Sequence, residues 1–269
     1  MPELGGKAGR LWQMNREGLP VPTWVCVPAT AFRQALQAHW PELRHLIMNL
    51  PASASSGQLA DLATECQSIL ADLSLPQDLK LAIDKAVSEL KADRFAVRSS
   101  ALGEDSGRHA FAGLFRTWLQ TPADEVADRV LACWRASFAA PVLAYLNHHG
   151  LAPESLTMAV LIQIQIDAWG SGVLFQASPD GNLNDLVLVA GYGQGEGIVS
   201  GQVDADSYRR DRFNGIWRDE IVDKRQQMQA IGSKLALLPV PEDLRRQAVL
   251  TPAMRQALLD LCDPLARDG

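Results

Sequence analysis

Between Arg94 and Leu119 the chain runs R-F-A-V-R-S-S-A-L-G-E-D-S-G-R-H-A-F-A-G-L-F-R-T-W-L. This stretch constrains the fold more than any other. Phe95, Ala96 and Val97 form a short apolar run that reads as a buried strand. Arg98 closes that run, followed by small hydroxyl residues, a glycine and two acids; Gly113 and Thr117 precede a second β-like run. A guanidinium held at a strand end supplies fixed donors and charge, while Gly and Ser let backbone N–H groups approach anionic oxygens. The segment therefore suits a polyphosphate grip. The plainer alternative is two strands and an exposed loop, with Arg98 paired to Glu104 or Asp105.

A chain of 269 residues can bury a large core and suits one large domain or two lobes. Its formal net charge of −6 leaves no basic surplus for neutralising nucleic-acid phosphates, so a nucleic-acid partner is not expected. No apolar run reaches the length of a membrane span, and the N-terminus lacks a signal-peptide pattern. Cys26, Cys66, Cys133 and Cys262 are widely spaced, which argues against a zinc site or disulfide framework and fits a cytoplasmic protein.

Upstream, Leu4-Gly5-Gly6-Lys7-Ala8-Gly9 opens a helical pattern that ends at Gly18. Glycines and a lysine at a helix start can offer an ammonium and free N–H groups to phosphate, although this segment alone reads more simply as a solvated Lys7 beside an N-terminal turn. Trp24–Val27 reads as a strand, and a helix follows to about Trp40. From Pro41 to Ser56 the helical pattern weakens, and two amphipathic helices are expected over 58–73 and 76–92. Further helices are expected over 123–138 and on to about His149. The pair His148-His149 reads as a helix C-terminus rather than a ligand pair.

The second half is β-rich. Thr157–Ile166, Gly172–Ala177 and Leu186–Ala190 read as sequential, antiparallel strands. Gln163 and Gln165 interrupt the first; they suit either a nucleobase edge or the wet face of a half-buried strand. Gly191–Gly201 contains a G-x-G-x-G string with no helix or βαβ unit expected after it, against a dinucleotide fold. A hairpin is expected at Asn214-Gly215, a polar stretch over 224–234 and one closing helix over 241–265, interrupted at Pro252.

Taken in order, L-G-G-K-A, V-P, V-R-S-S-A-x-G-E-D-S, F-A-G-x-x-x-T, the Gln-containing strand, S-G-V-L-F and G-x-G-E-x-x-V-S-G-x-V-x-x-D-x-Y form a series. It resembles the N-terminal ATP-binding domain of the phosphoenolpyruvate synthase, pyruvate phosphate dikinase and rifampin phosphotransferase family. The resemblance implies an α+β, ATP-grasp-type fold with two lobes clamping ATP between them, residues 1–155 and 156–269. The second lobe reads as incomplete, lacking the family's C-terminal metal-binding strands. By the same resemblance Lys7 and Arg98 contact the phosphates and take part in catalysis. Gly113 and Thr117 belong to the covering loop, and Gln163, Ile164 and Gln165 line the adenine pocket.

The cofactors so implied are ATP and Mg2+, with no metal ligand assigned: Glu196, Asp204 and Asp206 lie near the nucleotide lobe but match no family ligand. The family's phosphohistidine domain has no counterpart motif in this sequence. The chain is thus expected to act as the ATP-binding module of a phosphotransferase, passing a phosphoryl group to a histidine on a separate domain or subunit. The alternative is a non-catalytic nucleotide-binding or regulatory homologue that has lost its metal ligands.

Overall fold

The computed structural model describes residues 3–102, 115–179, 181–182 and 184–262. The chain is α+β and divides into two units, Met1–Gln165 and Ile166–Gly269.

The first unit is built on one antiparallel sheet. Its helices are α1 (Gly5–Arg16), α2 (Ala29–Ala35), α3 (Trp40–Met48), α4 (Ser56–Ile69), α5 (Gln77–Leu90), α6 (Val126–Ala136) and α7 (Ala140–His148). Its strands are β1 (Trp24–Val27), β2 (Arg94–Ala101), β3 (Thr117–Pro122) and β4 (Met158–Ile164), in the order β1-β4-β2-β3. Side chains alternate across a strand, so the two faces of the sheet differ. Phe95, Val97 and Ala101 of β2 join Met158, Val160 and Ile162 of β4 in one apolar core with residues of α2 through α7. The aromatic rings of Phe32, Trp40, Trp134 and Phe138 pack edge-on or tilted within it, 5.9–6.3 Å between centroids. The opposite face carries Ala96, Arg98 and Ser100 of β2, with Ala159, Leu161 and Gln163 of β4.

Several local expectations are corrected here. Residues 40–48 are helical although the pattern weakens from Pro41, because proline at the start of a helix costs no hydrogen bond and presets φ. Leu43 and Ile47 of this helix are buried. The helix expected from residue 58 begins at Ser56, where Ser55 and Gln58 form a reciprocal capping box. The strand β4, grouped by sequence with the β-rich second half, lies between β1 and β2 in the first sheet. The division between units therefore falls after Gln165, ten residues beyond the expected 155/156 boundary. On β3 the register slips opposite Phe95–Val97, and Gln120 takes a positive φ of 56° at this bulge.

The second unit holds a four-stranded antiparallel meander, β5 (Gly170–Phe175), β6 (Asp185–Tyr192), β7 (Asp206–Asp211) and β8 (Trp217–Glu220), in sequence order. The short helix α8 (Gly195–Val199) lies between β6 and β7. A separate hairpin pairs β9 (Gln226–Ile231) with β10 (Lys234–Pro239), and α9 (Pro252–Cys262) follows. Leu186, Leu188, Ala190 and Tyr192 of β6 form a second core with Tyr208, Val240 and Val249, against which Leu258 and Leu259 of α9 pack.

The β7–β8 hairpin turns at Asn214-Gly215 as expected, with Gly215 at φ 72° and Asp211 Oδ1 accepting from the Phe213 amide. Two expectations fail. The polar stretch 224–234 contains β9, whose alternation sends Met228 inward between exposed or half-exposed neighbours. The closing helix starts only at Pro252, which begins it rather than interrupting it; before it, Val240, Leu244 and Val249 pack into the core from irregular backbone.

Candidate functional site

The expected site residues that fall within the described chain, Lys7, Arg98, Thr117, Gln163, Ile164 and Gln165, all belong to the first unit. Gly113 lies outside the described residues, as do Glu104 and Asp105.

The site begins with Ser100. Its Oγ donates to the Leu4 carbonyl at 2.9 Å and accepts from the Ala8 amide at 3.2 Å. One hydroxyl therefore fastens the first turn of α1 to the end of β2, 96 residues away in sequence. Gly5 makes this approach possible: it sits at φ 69°, and a Cβ there would fall on the Ser100 carbonyl. The glycines and lysine at the helix start thus have a packing role at Gly5. The same contact brings Lys7, in that first turn, to the end of the strand bearing Arg98. Ala8, against Ser100, is fully buried, and so is Leu161 on the same face of the sheet.

Arg98 and Ser100 are two residues apart on β2 and share a face. Thr117 stands directly opposite Arg98 on β3, so their side chains are neighbours across the strands. Arg98 is half-buried and Thr117 exposed. The fold therefore brings the start of α1, which carries Lys7, against the strand face that carries Arg98, with Thr117 opposite Arg98. A lysine, an arginine and a helix N-terminus each favour anionic oxygens.

Gln163 pairs with Ala96 on one side and Trp24 on the other. It is 7% exposed, which removes the reading of a wet-face glutamine. Its Nε2 donates to the Pro22 carbonyl at 3.2 Å, across to the entry of β1. Next to it the Ile164 amide donates to Thr23 at 2.9 Å and the Gln165 amide to Arg94 at 3.0 Å. Both amides are spent within the sheet, and the Ile164 side chain packs on the core. A base edge reaching this point would meet carbonyl oxygens and side-chain groups instead.

In the second unit the glycine-rich run serves packing. Gly193 adopts φ 83°, and a Cβ there would strike the Met228 carbonyl. Gln194 donates its amide to that same carbonyl at 2.7 Å, and a Cβ on Gly197 would lie 2.9 Å from Met228 Cβ. A short helix does follow the run, contrary to expectation, but β7 then returns antiparallel to β6. No parallel βαβ unit forms there, which disposes of a dinucleotide site.

Asp206 has the most developed polar environment, and sequence reasoning missed its role. Its carboxylate is fully buried. Oδ1 accepts from Lys224 Nζ at 2.6 Å and the Val222 amide at 3.1 Å; Oδ2 accepts from Tyr208 Oη at 3.0 Å and the Val249 amide at 2.9 Å. Lys224 is equally buried, 2.6 Å from this carboxylate, and also donates to the Val222 carbonyl. Burial pushes the Tyr208 phenol up to about 12. With four donors on two oxygens, Asp206 is a structural junction between β7, the 222–224 segment and the approach to α9. The D-x-Y spacing, 206 and 208 on one strand face, was its sequence signal. Among the described residues no group of three or more His, Cys, Asp and Glu side chains is placed to hold a metal ion.

The sequence matches the family described as the pyruvate phosphate dikinase AMP/ATP-binding domain over residues 1–267. It is 34% identical over 263 residues to the prodigiosin synthesizing transferase PigC of Serratia marcescens, covering 96% of this chain and 28% of that protein. It is 31% identical to a rifampicin phosphotransferase of a Streptomyces species, covering 93% of this chain and 30% of the relative. A probable phosphoenolpyruvate synthase of Methanocaldococcus jannaschii is 29% identical, with 92% and 22% covered. The chain spans less than a third of the length of each of these relatives. It belongs to the pyruvate phosphate dikinase AMP/ATP-binding domain family.

Proposed function

We propose that the chain is the ATP-grasp-type nucleotide-binding module of a phosphotransferase, holding the ATP phosphates with Lys7 and Arg98 beside Thr117. It would present a phosphoryl group to a histidine on another domain or subunit. The observation that most supports this is the Ser100 tie, which carries the first turn of α1 to the strand that bears Arg98 two residues earlier. Phosphoryl transfer asks little covalent chemistry of the protein; catalysis consists of positioning and of neutralising charge on the phosphoryl oxygens. Lys7, Arg98 and the N-terminus of α1 would meet that need. Magnesium would enter with the triphosphate. The described residues offer it no three-ligand set.

The test is calorimetric titration of ATP into the wild-type chain and the Arg98→Ala and Ser100→Ala variants, with circular dichroism to verify folding. Loss of charge-assisted hydrogen bonds to phosphate is expected to weaken binding by roughly 100-fold in Arg98→Ala. Ser100→Ala, which loosens the helix rather than removing a contact, is expected to cost less. Unchanged affinity in a folded Arg98→Ala variant would refute the assignment.

A further inference from the structure

The first unit contains a second concave site, on the other side of β3 from the Arg98–Thr117 pair. A cavity of about 470 Å3 lies among α4, α6, the start of α7 and the entry of β3. That volume falls in the range of small-molecule sites. Five alanines from α4, α6 and the start of α7 line it together with Trp118, beside the polar Thr64 and Gln67. Two guanidiniums, Arg116 and Arg135, line it against one carboxylate, Asp128, leaving the lining with excess positive charge.

Arg135 is built into place. Its Nη2 donates to the carbonyls of Ala71 and Leu73 at 3.2 and 2.9 Å, and its own carbonyl accepts from Gln67 Nε2 at 2.9 Å. These bonds hold the guanidinium and use both Nη2 hydrogens, leaving Nη1 for a ligand; the carboxylate of Asp72, which lies between the two carbonyls in sequence, also acts on its charge. An arginine anchored in this way loses little rotamer freedom on meeting an anion. The N-terminus of α7 reaches the same cavity through Ala139 and Ala140 and carries no side-chain cap and no acid in its first turn. Its dipole adds to the field already set by the arginines.

We propose that this cavity is a binding site for a small aromatic carboxylate, with the ring on Trp118 and the alanine walls and the carboxylate on Arg116 and Arg135. Such a ligand matches both parts of the lining: an apolar body for the alanines and Trp118, and an anionic acceptor for the two arginines. The site is separate from the phosphate-holding face. Arg116 and Trp118 flank Thr117 in sequence, and Thr117 faces Arg98 across the strands while Trp118 packs on the core.

The test is calorimetric titration of the full chain with naphthalene-2-carboxylate and with its uncharged carboxamide. The carboxylate is expected to bind, and the carboxamide to bind at least about tenfold more weakly, as loss of one charge-assisted contact dictates. Arg116→Gln is expected to weaken carboxylate binding by a similar factor. Arg135→Gln also removes bonds to Ala71 and Leu73 and could unfold its surroundings, so Ala132→Phe serves as the second variant: it fills the cavity and should abolish binding in a folded chain. Saturating ATP should leave carboxylate binding intact. No carboxylate binding, equal affinity for the carboxamide, or full affinity in folded Arg116→Gln and Ala132→Phe would each overturn the proposal. So would displacement of the carboxylate by ATP that persists in Arg98→Ala, because the cavity would then be a nucleotide site. Loss of ATP binding in Arg98→Ala with carboxylate binding retained supports both assignments, and carboxylate binding without any ATP binding overturns the nucleotide reading alone.

Discussion

Replacing Asp206 by alanine tests whether this acid is a structural junction or a metal ligand. The change removes one buried carboxylate and strands four donors: the Lys224 ammonium, the Tyr208 hydroxyl and the amides of Val222 and Val249. The ammonium dominates, because removing one partner of a buried ion pair leaves an uncompensated charge, at about 3–5 kcal/mol. Water admitted to the vacated space offsets part of the amide cost. For a unit of this size, with a urea dependence of about 2 kcal/mol per M, the unfolding midpoint should fall by about 2 M. The assay is urea unfolding followed by tryptophan fluorescence, since Trp169 and Trp217 report on the second unit and the remaining tryptophans on the first. The low-denaturant shift should appear in the Trp169/Trp217 signal. Adding Lys224→Met to Asp206→Ala should recover much of the loss, because the stranded charge is gone. Coincident unfolding of Asp206→Ala and wild type would refute the reasoning, as would simple additivity in the double variant. An Asp206→Asn variant of normal stability but weakened magnesium-dependent nucleotide binding would make Asp206 a metal ligand after all.

Two further outcomes follow from local geometry. Gly193→Ala places a Cβ on the Met228 carbonyl at φ 83° and should cost about 2–4 kcal/mol in urea unfolding, whereas Gly201→Ala, at φ 68° with nothing within 4 Å, should cost only the backbone strain of about 1–2 kcal/mol; equal effects would remove the packing explanation of the glycine run. The Asp223 carboxyl is held below the usual carboxylate range, chiefly by its hydrogen bonds to Arg245 at 2.9 and 2.6 Å. A lowered folded-state value stabilises above the unfolded value of about 3.9 and is lost as pH falls through the folded one. The stability difference between wild type and Asp223→Asn should therefore be constant near neutrality and shrink in acid below about pH 4; a difference independent of pH down to 2 would exclude the linkage.

The sequence made the local elements legible where chemistry was local. The strand through Phe95–Val97, the helix opening at Gly5 and the turn at Asn214-Gly215 follow from short-range patterns, and the ordered motifs pointed to the nucleotide family; but the strand runs on past Arg98 to Ala101, so Arg98 lies within it and not at its end. What stayed hidden was long-range. Nothing near Met158–Ile164 says that its partners lie at 24–27 and 94–101, so β4 was grouped with the strands that follow it. Pro41 looked like a breaker because a proline at a helix start and one at a helix end read alike without the register of Leu43 and Ile47. Ser100 looked like one more loop hydroxyl, since its bonds reach residues 4 and 8. The partnership of Asp206 with Lys224 crosses eighteen residues, including a hairpin, and so leaves no periodic trace.

The position of β4 has a consequence for the order in which the molecule can be made. Among the described residues β1 pairs with no strand except β4, and β2 meets β1 only through it. As the chain leaves the ribosome, α1 can reach Ser100 and β2 can pair with β3, but β1 has no strand partner until residues 158–164 emerge. Nearly all of the first unit is synthesised before its central strand arrives. Until then the inner edges of β1 and β2 stand unpaired, with Val27, Phe95 and Val97 beside them awaiting the other half of their core. The first unit is in this sense completed by its last strand, and its vulnerability to misassociation is greatest just before that strand appears.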